Sequence, residues 1–312
     1  MTTLRVQTTR ELMAAGLLWN DLAFAADEPG HLEIVLAPGV YSGVGLVLAD
    51  SSPTNAVSLV LRGEPGATLR DASLHLSGPS VHVRDLVFEG RRSDFFVNIQ
   101  ATEEVHLQRL AFVGVRAGER SHYGSGVEGG AISVEATGPG VRALTEDVWL
   151  VKAEHLGRQP LIRFIEQSGR FDSVVLRRVA ANKLRGSGLV GLNAQTPLTL
   201  EQCAVVLKGQ AAVVTSSRPT SAIRVTGGAY AVHASDNIVR AVEAYDRMVM
   251  EYLPANVEGA RLLVRTHDND REPGSILVNC QVQPGPRKVS KRAWVRKARS
   301  LASPDATELL PE

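Results

Sequence analysis

Between Val81 and Gly114 the chain repeats itself. Val81-His82-Val83-Arg84-Asp85-Leu86-Val87-Phe88-Glu89-Gly90 is answered 24 residues later by Val105-His106-Leu107-Gln108-Arg109-Leu110-Ala111-Phe112-Val113-Gly114. Each copy alternates apolar and polar residues and closes on a glycine, the pattern of a strand running into a turn. A unit this short cannot bury its own apolar face, so it must stack on neighbouring copies.

The period extends along most of the chain. Apolar-x-apolar triplets centre on Leu36, Leu59, Val83, Leu107, Leu144, Leu176, Leu200, Val225, Met250 and Leu277. Second strands are expected between them, at Val44–Leu48, Ser73–Ser77, Phe95–Gln100, Ala131–Glu135, Leu161–Glu166, Leu189–Asn193, Ala211–Thr215, Ile238–Glu243 and Arg261–Thr266. A third, less regular strand fits the remaining length, as at Val87-Phe88. Three strands per turn predict an all-β chain, a single-stranded right-handed parallel β-helix (solenoid) of about ten turns. The capping box Thr8-x-x-Glu11, followed by Leu12, Ala15, Trp19 and Leu22, predicts an N-terminal capping α-helix over residues 9–25. The expected organisation is a β-helix domain at 1–283 and a basic tail at 284–312, beginning after Pro284-Gly285-Pro286.

Stacking predicts columns of like residues. Phe88, Phe112 and Trp149 fall five places after their triplet centres, as an interior aromatic stack. Asp85, Arg109, Glu146 and Arg178 fall two places after, alternate in sign, and are followed by Gln202. Cys203 and Cys280 share a column three turns apart, roughly 14 Å at the usual strand spacing, which is too far for a disulfide.

Bulk properties narrow the partners. A net charge of +1 over 312 residues gives no case for sequence-specific nucleic-acid binding. No apolar run approaches the roughly 18 residues of a membrane span. The short stretch Leu12–Ala25 mimics a leader, but Glu11, Asn20 and Asp21 interrupt it. Cytoplasmic residence is therefore the expectation, with unconventional export as the remaining route. No cofactor and no metal site is expected: His82 and His106 stack but lack a third ligand.

Function is expected where the period fails. The steps on either side of Leu144 are long, and the excess falls in Arg116–Gly130, Glu154–Pro160 and Gln167–Phe171. Insertions in a solenoid cost little and commonly carry function. Beside them runs a polar column of Gln100, Glu135, Glu166, Asn193, Thr215 and Glu243, with Asn98, Ser133 and Arg163 on the same face. The catalytic candidates are Glu135, Glu166 and Arg163; the ligand-binding candidates are Gln100, His122, Tyr123 and Asn193. A solvated outer wall accounts for the same column and is the blander alternative. Thr266–Arg271 has the composition of an exposed turn. The tail clusters Arg287, Lys288, Lys291, Arg292, Arg296, Lys297 and Arg299 around Trp294, which suits either an anionic surface or a solvated segment.

From Thr9 to Gly90 the chain resembles the pectin-lyase-like β-helix superfamily, nearest to chondroitinase B-type polysaccharide lyases. The resemblance rests on Arg10–Ala15, on Ile34-Val35-Leu36-Ala37-Pro38-Gly39-Val40-Tyr41, and on Ser73–Gly78 leading into Val83–Phe88. It implies the fold. The family's Lys and Arg catalytic motifs are absent, the nearest text being Asn182-Lys183-Leu184-Arg185, and so is the Gly-His-Gly of polygalacturonase-like relatives. A non-catalytic protein that recognises a polysaccharide, or forms part of a larger protein assembly, is the resulting expectation. The alternative is a carbohydrate-active enzyme, by β-elimination before hydrolysis. Few aromatics (5%) remain to stack on sugars.

Overall fold

In the computed structural model the described residues are 2–25, 30–48, 57–118, 129–155, 160–166, 168–184, 188–207, 212–216, 223–226, 228–233, 239–241, 255–258, 261–265 and 280–282. Apart from one helix, α1 (Thr9–Ala25), they form an all-β structure of many parallel strands. The tail at 284–312 lies outside them, as do His122, Tyr123, Glu243, Met250, Leu277 and Thr266–Arg271.

The strands fall into three series, each pairing in parallel with its counterpart one repeat later. The first series runs through Ile34, Leu61, Val83, Leu107, Thr145, Leu176, Leu200, Val225, Val257 and Val282. The second runs through Leu69, Phe88, Phe112 and Leu150. The third runs through Leu46, Leu74, Val97, Ile132, Ile162, Val190, Val214 and Val239. The second strands of the sequence pattern, such as Phe95–Gln100 and Leu161–Glu166, make up this third series, but Arg261–Arg265, expected with them, pairs with Ala229–His233 of the second series.

Strand alternation explains the core. Val81, Val83, Leu86, Phe88, Val97 and Ile99 are all essentially inaccessible, and their counterparts one repeat later continue the same core. Phe88 and Phe112 stack with ring centroids 4.7 Å apart, and Phe96 meets both edge-on. The third member of that column is Leu150, since Trp149 pairs with Ala111 on the opposite face. There Trp149 packs with Val87, Ala111, Ala180 and Ala204.

Two columns of left-handed residues divide the repeat into its three strands. Asp85, Arg109, Asp147, Arg178 and Gln202 have φ of 50–59° and separate the first series from the second. Gly43, Asp71, Gly90, Gly114 and Lys152 form the next corner, with φ of 50–92°. A left-handed L-residue costs roughly 1–2 kcal/mol, so glycine would be the easy choice at both corners. At the first corner, bidentate ion pairs offset that cost instead. Arg109 grips Asp85 through Nε and Nη2 (2.8 Å for the latter), and Arg178 grips Asp147 with both contacts at 2.6 Å. The expected ladder of alternating charge is therefore present, with Asp147 in the place assigned to Glu146.

Helix α1 covers the end of the stack beside Gly45–Leu48. Glu11 N–H donates to Thr8 Oγ1 at 3.2 Å, and the Glu11 carboxylate accepts from Gln7 N–H at 2.6 Å. Leu12 and Ala15 are buried, while Met13 and Leu17 face outward. Gly16 sits where a Cβ would come within 3.3 Å of Leu46 Cδ1, which lets the helix approach. Nearby, the buried Tyr41 hydroxyl lies 2.8 Å from Val6 O and 3.0 Å from Ala37 O, tying Thr2–Val6 to the turn after Gly30–Leu36. Burial pushes its phenol pKa up. Tyr41→Phe is expected to cost about 1–2 kcal/mol in urea unfolding, because buried carbonyls lose their donor.

Cys203 is buried and unbonded to another cysteine, with Sγ 3.4 Å from Leu176 O. Cys280 occupies the column of Ala255, Ile223 and Leu198, not that of Cys203, which corrects the expected cysteine column.

Candidate functional site

Two outward columns of the third series carry the candidate residues. One runs through His75, Asn98, Ser133, Arg163 and Gly191; the other runs through Ser77, Gln100, Glu135, Ile165 and Asn193. Gln100, Glu135 and Asn193 thus share a column, as expected. Glu166 does not, since Ile165 holds that place and Glu166 pairs with Ala136. Thr215 also leaves it, pairing with Gly191 in the Arg163 column.

The one-residue difference decides the fate of Glu166. Its side chain is buried, at 4% exposure. Its carboxylate accepts from Phe171 N–H at 3.0 Å, Gln195 N–H at 2.6 Å and Thr196 Oγ1 at 2.7 Å. These bonds pin the segments before Phe171–Arg177 and Leu198–Glu201. Glu135 remains half-buried on the outer wall and accepts from Gln100 Nε2 at 3.0 Å. Arg163 lies with its guanidinium carbon 5.6 Å from the Phe95 ring centre, a cation–π contact. Glu166→Ala is expected to cost roughly 2–3 kcal/mol by thermal unfolding, because the buried Phe171 N–H is left without an acceptor and the bonds to Gln195 and Thr196 are lost. Glu135→Ala, at the surface, should stay within about 0.5 kcal/mol of wild type.

Polar groups continue around this wall. Asn98 Nδ2 lies 3.4 Å from His75 Nδ1, His75 Nε2 lies 3.5 Å from Asp94, and Arg92 bonds both Asp94 (2.9 Å) and Ser73 Oγ (3.0 Å). An open pocket of about 360 Å³ is lined by Arg91, Arg92, Ser93 and Gly118. Gly118 and Gly129, which bracket residues 119–128, come together there: a Cβ on Gly129 would lie 2.9 Å from Gly118 N. His155 packs on this junction and bonds Gly129 O through Nε2 at 3.0 Å. Its burial lowers its pKa to about 4.

A second polar cluster occupies the outer wall of the first series. Glu146, only 8% exposed, accepts from His106 Nε2 (3.0 Å), Gln108 Nε2 (2.9 Å) and Arg178 Nη2 (3.2 Å). His82 stands edge-on to His106 with centroids 5.6 Å apart. The signal for this cluster was present in the sequence as the repeated His and the following charged positions. Setting Thr145 rather than Leu144 in the apolar column is what puts Glu146 beside Gln108 and Arg177. Among the described residues no group of three or more His, Cys, Asp or Glu has metal-binding proximity.

Compared with known proteins, the chain matches no family model, no curated protein and no solved structure. No described helix is long and apolar enough to cross a membrane.

Proposed function

We propose that this chain is a right-handed parallel β-helix that recognises a polysaccharide without cleaving it. The observation that carries the proposal is the separation of Glu135 from Glu166. General acid–base chemistry needs two groups that reach one substrate bond. Here one carboxylate is buried among backbone donors and the other bonds an amide on the outer wall. What the third-series wall offers instead is amide chemistry from Asn98, Gln100 and Asn193. Such groups can exchange hydrogen bonds with sugar hydroxyls.

Membership of the pectin-lyase-like superfamily belongs to the same proposal. Its support is the three-series parallel register together with the helix over Leu46 and Leu48 and the Tyr41 turn. Electrophoresis through gels containing a panel of neutral and acidic polysaccharides tests recognition. The expected result is retardation by at least one of them, weakened about tenfold by the combined Asn98→Ala and Gln100→Ala changes, the scale of two lost hydrogen bonds. Migration unaffected by every polysaccharide would reject recognition and leave the role of a part in a protein assembly.

A further inference from the structure

On the early rungs of the first series two neighbouring arginines share one carboxylate. Arg62 and Arg84 are paired in register on adjacent rungs. Both approach one carboxylate, Glu33: Arg62 Nε lies 2.7 Å from Oε1, but Arg84 Nη2 is 3.9 Å away. Glu33 also accepts from Thr3 Oγ1 at 3.3 Å. The adjacent Asp85 is committed to Arg109. Among the described residues Arg84 therefore has no ion pair closer than 3.9 Å, and its Nε is buried with no acceptor.

An unmet guanidinium donor is costly when its stem is packed, and such groups call for an explanation. Arg84 is 41% exposed at its side chain, and among the described residues no close hydrogen bond holds its fork in place. The fork can turn toward an acceptor from solution without breaking one. Beside it stands His82, half-buried, with Ser80 Oγ at 3.1 Å and Glu104 at 3.9 Å from Nε2. Burial disfavours the protonated form of His82, Glu104 opposes that, and His106, Arg84 and His31 reinforce it.

We infer that Arg84, with Arg62 and His82, forms a binding site for a phosphate-type oxyanion on the outer wall of the first series. The planar fork matches two oxygens of such a group, and a third oxygen remains for the neighbouring rung. The site is separate from the amide columns of the third series, so it stands whether or not a polysaccharide binds there. Its ligand is either free phosphate or a phosphate monoester on a small molecule.

Isothermal titration of the whole chain with inorganic phosphate, sulfate and a hexose phosphate tests the site. Saturable binding of phosphate or the hexose phosphate is expected, roughly tenfold weaker in Arg84→Gln and unchanged in Arg170→Gln, an exposed arginine elsewhere. Tighter binding of the hexose phosphate identifies a monoester site; equal binding identifies a site for the free ion. Arg84→Lys keeps the charge but loses the fork and is also expected to bind more weakly, which provides a second variant should Arg84→Gln fail to fold. Absence of saturable binding by all three anions would overturn the inference. So would undiminished affinity in whichever Arg84 variant folds.

Discussion

Phe112→Ala is expected to lower the unfolding free energy by about 3–5 kcal/mol, the cost of removing a fully buried ring without refilling its space. Phe112 lies between Phe88 and the Leu150 rung, with Phe96 against its edge, and all four side chains are inaccessible. Collapse into the cavity is restricted because each neighbour is fixed by strand register one repeat away. Urea unfolding should show a lower midpoint. Phe112→Leu should recover much of the loss, since it refills most of the volume with apolar atoms. A loss below about 1 kcal/mol for Phe112→Ala would mean that the stacked column is not packed as described.

The second large effect is on acid stability. His155 is buried and held with a pKa of about 4, against an ordinary value near 6.5. Burial is the main cause; the bond to Gly129 O opposes it in part, and Arg163 reinforces it. Since the unfolded chain binds the proton first, native stability falls as pH drops from about 6.5 towards 4, and the loss levels off below that. The whole drop is on the order of 3 kcal/mol for this one group. His155→Gln, which can still donate to Gly129 O, should flatten the pH dependence of stability across that window. An unaltered pH profile in that variant would contradict the assignment. Because His155 packs on Gly118 and bonds Gly129, acid should release the junction that brackets residues 119–128.

How much of this architecture could be read from residues alone depends on the parity of each alignment error. At the N-terminal end, Leu36 and Leu59 were natural triplet centres, whereas the column passes through Ile34 and Leu61. Those are shifts of two, which leave inward residues inward. At the fifth rung the shift is one, from Leu144 to Thr145, and a shift of one exchanges the two faces of a strand. Thr145 is buried and Leu144 only half-buried, so the apolar pattern favoured the wrong neighbour. That slip moved Trp149 into the Phe stack and Glu146 into the charge ladder, where Leu150 and Asp147 belong. Glu166 went astray in the same way: it sits one residue past the outward Ile165, an apolar side chain where the pattern called for a polar one.

The candidate site was legible in outline. Gln100, Glu135 and Asn193 share one outward column and Asn98, Ser133 and Arg163 the next, as the alternation of a strand requires. The destination of Glu166 was not legible, because it depends on backbone donors of Phe171 and Gln195 that no periodicity describes. The left-handed corners were equally hidden. Arg109, Arg178 and Gln202 are poor sequence signals for positive φ, and it is their place in a column of registered parallel strands that makes the conformation sustainable.

The central claim is recognition without cleavage, and chain length is its most direct readout. A polysaccharide that retards the protein should be incubated with a stoichiometric amount of it and then sized by gel filtration. The account predicts co-elution of protein with polysaccharide and an unchanged size distribution. Progressive shortening of the polysaccharide, abolished by Glu135→Gln, would contradict it.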